Sequence, residues 1–173
     1  MKKLIYFALT IIHVMSCATT KRTSNKVIIP KYIGFNKFNK DTAAYVKQNF
    51  EARKQYYIGK EFKVLLNDLE LPFKLAILHN MMYKYEGKAR YSGGVFYFYD
   101  REKYFQVTDT KDFIPGISVK FAPPYLEMDT IDFWGRKYSN SWNKENRKMM
   151  EKQIVESVEY FNSGQWTIKK AKK

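Results

Sequence analysis

Hydrophobic periodicity changes along this chain at Pro72, and that change dictates the class of fold. Before it, Phe62, Leu65, Leu66 and Leu69 stand at i, i+3, i+4 and i+7, one face of a short helix that Pro72 closes. Upstream, Asp41 is suited to cap a helix over 42–57, in which Ala43, Val46, Phe50 and Tyr57 fall near one side and which Gly59 ends. Beyond Pro72 the period becomes two. Phe73, Leu75, Ile77, Met81, Tyr83 and Tyr85 form the apolar side of a half-buried strand, while Lys74, Asn80 and Lys84 mark the other. Glu86-Gly87-Lys88 starts a turn, and Ser92-Gly93-Gly94 interrupts the chain before a strand over Val95 to Tyr99. Asp100 to Lys103 turns into a strand from Tyr104 to Thr108. Ile117, Val119 and Phe121 alternate with Ser118 and Lys120 in another strand that stops at Pro123-Pro124. A last helix is expected over about 143–162, with Met150, Ile154, Val158 and Phe161 on one stripe and Gly164 beyond its end. The order predicts an α+β fold: an N-terminal helix pair, an antiparallel β-meander of about four strands and a C-terminal helix, with the helices packed on one sheet face.

The N-terminus has a different logic. Lys2 and Lys3 give a positive start, Leu4 to Val14 is an apolar run interrupted by His13, and Ser16 is a small residue directly before Cys17, the only cysteine. The run is too short for a permanent membrane helix, which needs roughly 20 residues, but sufficient for a secretory signal. Residues 1–16 are therefore expected to be cleaved. With Cys17 alone, no intramolecular disulfide and no cysteine-based zinc or redox site can form.

This segment resembles the precursors of bacterial lipoproteins, in which a Leu, a small residue and Gly, Ala or Ser precede an invariant cysteine. The resemblance implies cleavage before Cys17, acylation of its sulfur and its freed amine, and a membrane anchor. Val14 and Met15 depart from the usual box, and an ordinary signal peptide cut near Ala18 would discard Cys17. Each buried methylene is worth about 0.8 kcal/mol, so one chain holds marginally and several hold for long times. No Asp follows Cys17 directly and no acidic run follows it, which in lipoproteins implies the periplasmic face of the outer membrane.

Composition then divides the rest. The 45% hydrophobic and 17% aromatic content of this 173-residue chain is that of a folded domain. The formal charge of +14 suggests nucleic acid until the charges are located. Residues 18–40 carry Lys21, Arg22, Lys26, Lys31, Lys37 and Lys40 without an acid, and the tail carries Lys169, Lys170, Lys172 and Lys173. The stretch between holds nearly equal numbers of bases and acids, so no nucleic-acid groove is expected. The organisation expected is a basic tether over 17–40, one domain over 41–166 and a basic tail over 167–173. The tether is either a solvated linker or a segment drawn to anionic headgroups. Within it, Val27 to Phe38 is too apolar to be free and is expected to lie extended along the domain.

Residues 59–72 carry a second resemblance, to small outer-membrane lipoproteins similar to BamE. In these a short second helix is introduced by Gly, closed by Pro thirteen residues later and followed by three antiparallel strands. Gly59, Leu65, Leu69 and Pro72 match; Glu61 and Glu70 depart from the pattern, and the last helix has no counterpart. The resemblance implies a binding module.

Candidate chemistry is sparse. His79, the only histidine outside the signal segment, is either a base or a satisfied core residue. No HExxH, GxSxG or phosphate loop is present. Tyr97, Tyr99 and Tyr104 belong to an aromatic run suited to stacking on sugars or on a partner's strand. The long stretch from Pro123 to Asn140 carries Glu127, Asp129 and Asp132, followed by Trp134, Arg136 and Lys137. Its carboxylates are candidates for an acid and base pair, or else for a salt-bridged surface loop. Their spacing fits no calcium loop, so no metal or cofactor is expected. The functional expectation is a lipid-anchored module binding another envelope component, protein or glycan. The alternative is a small hydrolase using Asp129 or Asp132 with His79.

Overall fold

The computed structural model describes residues 27–78, 83–85, 88–109, 113–127 and 135–163. The Asp41 carboxylate accepts a bond from the Ala44 N–H at 2.9 Å and starts α1 (Thr42–Val46). The helical path continues through a π-turn (Lys47–Glu51) into α2 (Lys54–Tyr57). Gly59, at φ +78°, reverses the chain into α3 (Phe62–Asp68). Tyr45, Val46, Phe50, Tyr57, Phe62, Leu65 and Leu66 are buried along these helices. The helix pair is therefore as the periodicity predicts.

Two antiparallel sheets follow. Strands β1 (Leu75–Leu78), β4 (Gly93–Tyr97), β5 (Pro115–Phe121) and β7 (Val155–Asn162) form the larger, in the order β1-β4-β5-β7. Strands β2 (Tyr83–Tyr85), β3 (Lys88–Tyr91) and β6 (Leu126–Glu127) form the smaller, in the order β2-β3-β6. Only Ser92 separates β3 from β4, so one ribbon passes from sheet to sheet. Gly93 and Gly94, expected to break the chain, instead begin β4. A Cβ on Gly93 would lie 2.3 Å from the Val119 carbonyl oxygen and one on Gly94 2.5 Å from Leu78 Cδ2, so the glycines permit close approach between neighbouring strands.

Two further expectations are corrected. Residues 104–108 lie within a helix, α4 (Arg101–Asp109), not a strand. Asp100 caps it, its carboxylate accepting from the Lys103 N–H at 2.9 Å, and Tyr104 and Val107 then share a face that period-two reading splits. Residues 143–162 are not one helix: α5 (Lys144–Met150) is followed by β7. The β5–β7 register shifts between Lys120 and Phe121, which face Ser157 and Val155, leaving Glu156 as the extra residue of a bulge. That bulge brings Val155 and Val158 to one face, while of the expected stripe Met150, Ile154, Val158 and Phe161, Val158 packs in the main core and Phe161 in the opposite cluster.

The main core lies between the N-terminal helices and the face bearing Ala76, Phe96, Ile117, Val119 and Val158. The opposite face carries Leu75, Val95 and Tyr97, with Ile114 beside them, and α4 packs Tyr104 and Val107 there. Helices thus lie on both faces of the larger sheet, because the segment expected as a strand is the helix that covers the second face. Both outer edges are partly paired: Ser141 bridges Leu75, and Gly59 and Lys60 exchange backbone bonds with Val155.

Candidate functional site

Two constructions stand out, a buried polar clasp and a cleft beside it. In the clasp, the fully buried Asn49 acts as a fragment of strand edge. Its Oδ1 accepts from the Ile33 N–H at 2.8 Å, and its Nδ2 donates to the Ile33 carbonyl at 2.7 Å. Arg53 Nε donates to the Pro30 carbonyl at 3.1 Å, and the Glu70 carboxylate accepts from the Phe35 N–H at 2.8 Å. Tyr32 donates to the Asp68 carbonyl at 2.7 Å, and Phe35 and Phe38 pack edge-on against Tyr45. Residues 30–38 are therefore a strap fastened to α1–α3, and the folded unit begins before residue 41; the stretch Val27 to Phe38, expected to be extended throughout, ends in a 3-10 turn at Phe35–Phe38, and Val27, Ile28 and Ile29 are exposed.

Charge within the clasp is paired. The Arg53 guanidinium lies 3.5 Å from Asp68 and over the Tyr32, Tyr56 and Tyr57 rings. The Tyr57 hydroxyl donates to Asp68 at 2.9 Å. Burial, reinforced for Tyr32 by its bond with Tyr45 and for Tyr57 by its bond to Asp68, raises both phenols far above the ordinary tyrosine value. They stay protonated and serve as donors, not as bases or nucleophiles.

The cleft opens where α3 ends. Leu66, Leu69, Glu70, Pro72, Phe73, Trp142 and Arg147 line a volume of about 240 Å³. Its floor is stiff: the Phe73 ring stacks on Phe96 at 5.2 Å, and Trp142 stands edge-on to Phe73 and Phe96 at 5.9 and 5.4 Å. The Trp142 N–H donates to the Lys74 carbonyl at 2.9 Å, holding this wall to the strand. Arg147 is positioned by the reciprocal cap of α5. Asn143 accepts from the Asn146 N–H at 3.0 Å, and the Asn146 side chain accepts from the Asn143 N–H at 2.7 Å. Arg147 Nη2 then donates to Asn67 Oδ1 at 2.7 Å across to α3.

No family model, curated protein or solved structure matches this chain. The cleft must be judged on its own chemistry: one guanidinium, a carboxylate already engaged by the strap, and apolar side chains of which Leu66 and Phe73 are almost wholly buried.

The residues singled out in the sequence fare unevenly. Tyr97 is 2% exposed, packed against Tyr104 and Phe161 beneath α4, and offers no free stacking face. Its phenol is raised by burial and by Tyr104. Tyr99 and Tyr104 are half-buried beside the same cluster. Glu127 is exposed and pairs with Arg90 of β3 at 3.4 Å, and Arg136 is exposed. Cys17, His79, Asp129, Asp132 and Trp134 lie outside the described residues. Among the described residues no group of three or more His, Cys, Asp or Glu could hold a metal ion, and no helix is long and apolar enough to cross a membrane. Sequence reading missed Arg147 and Trp142 as partners of Phe73. The signal was Asn143 with Asn146, a cap motif that sets Trp142 just before a helix and Arg147 in its first turns.

Proposed function

We propose that this protein is a lipid-anchored envelope module that binds another envelope component, protein or glycan, from the periplasmic face of the outer membrane. Cys17 is its anchor in this reading. The strap carries the argument. Residues 30–35 are fastened to the fold by Arg53 at Pro30, Asn49 at Ile33 and Glu70 at Phe35. A pull that reaches Pro30 would then be borne by a folded body. Gly59 and Pro72 flanking α3 are compatible with the likeness to BamE-type lipoproteins.

The test is mass spectrometry of the mature N-terminus from isolated membranes, beside a Cys17→Ala variant. Diacylglyceryl and acyl mass on Cys17, with the variant absent from the membrane fraction, is the expected result. An unmodified terminus beginning at a later residue would overturn the anchor.

A further inference from the structure

We infer that the outer side of the strap is a lipid contact: Val27, Ile28, Ile29 and Ile33 enter the headgroup boundary of an anionic bilayer while Lys31, Lys37 and Lys40 meet its phosphates. The inference rests on the proposed function only in placing the chain at a membrane, and it adds which side of the folded body faces the lipid.

Exposure marks the contact. Val27, Ile28 and Ile29 are 61%, 87% and 42% exposed, three consecutive β-branched side chains that belong to neither core cluster. Exposure then alternates: Lys31 and Ile33 are exposed, whereas Pro30 and Tyr32 are half-buried. The inner positions are the fastened ones, with the Pro30 carbonyl bonded to Arg53 and the Tyr32 hydroxyl to the Asp68 carbonyl. A period of two thus leaves Ile29, Lys31 and Ile33 on the outer side. The apolar tip sits directly before a fixed point of the fold, so its binding orders little further chain.

Charge selects the occupant. Residues 27–40 contain Lys31, Lys37 and Lys40 and no acid, all three lysines are exposed, and among the described residues none of them makes an ion pair. The acids beside the strap are engaged elsewhere: Asp68 by Arg53 and Tyr57, Glu70 by the Phe35 N–H, Asp41 by the Ala44 N–H. Apolar side chains interleaved with unpaired lysines match the layering of an anionic bilayer surface, because a lysine stem lies along apolar surroundings while its ammonium reaches phosphate. A second copy pairing along Val27–Ile29 would instead bring like charges together, and a lysine beside an exposed edge opposes such pairing.

The experiment is vesicle sedimentation of the chain from Ala18 onward, which keeps every described residue and lacks Cys17 and the segment expected to be cleaved. The vesicles are phosphatidylglycerol mixed with phosphatidylcholine, and phosphatidylcholine alone. Each lysine near an anionic surface is worth about fivefold in partition, so three predict roughly hundredfold tighter binding to the anionic vesicles. Val27→Ser with Ile28→Ser should weaken that binding at least about tenfold by removing buried methylenes, and should leave the melting temperature unchanged because both side chains are exposed. Equal binding to the two vesicle types would overturn the inference. Anionic binding that the serine pair leaves unchanged would also overturn it, by assigning the attraction to basic residues alone. A dimer in solution that the serine pair dissolves, with no binding to either vesicle, would overturn it by making a second copy the occupant. The comparison of vesicle types uses the unsubstituted residues, so it survives a folding defect in the variant. It can also fail while Cys17 proves acylated, or succeed where it does not, which separates it from the anchor.

Discussion

Asn49→Leu removes the central fastening of the strap while keeping the number and branching of the side-chain heavy atoms. Asn49 is fully buried and exchanges two hydrogen bonds with Ile33, at 2.8 and 2.7 Å. A net intramolecular hydrogen bond contributes about 1 kcal/mol, and a buried polar group left without a partner costs about 1–3 kcal/mol. Ile33 is 37% exposed, so its backbone can recover part of that loss from water. The expected destabilisation is therefore about 2–4 kcal/mol in total. For a chain of this size each kcal/mol moves the midpoint by about 2–4 °C, giving a fall in Tm of roughly 4–16 °C. Urea and thermal unfolding followed by circular dichroism measure the global effect. Amide hydrogen exchange at Ile33 and Phe35 measures the strap itself, and Phe35 should lose protection with Ile33 although its own acceptor, Glu70, is untouched. A change below about 0.5 kcal/mol, within the range of an ordinary surface substitution, with Ile33 still protected, would refute the argument that Asn49 holds the strap.

Asp41→Ala deletes the cap bond to Ala44 and should cost about 1 kcal/mol, read from the urea midpoint. The two glycine classes should separate. Gly93→Ala drives a Cβ to 2.3 Å from a neighbouring strand's carbonyl oxygen and should cost more than about 2 kcal/mol by calorimetry or fail to fold. Gly59→Ala meets nothing within 4 Å but keeps φ +78°, and should cost only the left-handed penalty of about 1–2 kcal/mol. Alkaline stability follows from Tyr97. Burial raises its folded value, so the unfolded phenol loses its proton first near pH 10, and stability is full below that pH and falls as pH rises. Urea titrations between pH 9 and 11 should show Tyr97→Phe with a slope shallower by about 1.4 kcal/mol per pH unit above 10.

What was legible in the sequence and what was not divides along a physical line. Local rules carried α1–α3, because Asp41, Gly59 and Pro72 act on their own neighbours and the apolar face of Phe62, Leu65 and Leu66 needs only one period to be read. The errors lie where a distant strand changed the local meaning of a residue. Gly93 reads as a breaker in isolation, yet within β4 it exists for the backbone of Val119, twenty-six residues on in the chain. Met150, Ile154, Val158 and Phe161 read as one helical stripe because the strand, with its extra residue Glu156, is visible only against Lys120 and Phe121 on β5. The cleft is the extreme case. Its walls come from the end of α3, the entry to β1 and the start of α5, and the bond that closes it, Arg147 to Asn67, joins residues eighty positions apart. Periodicity assigns Leu66 and Phe73 to a core, correctly, at 4% and 3% exposure. What converts the edge of that core into a cleft is Trp142 turned edge-on beside it and a guanidinium held at its rim. Both depend on the Asn143–Asn146 cap, so the cleft is a by-product of helix termination, and changing that cap should alter the cleft before it alters the fold.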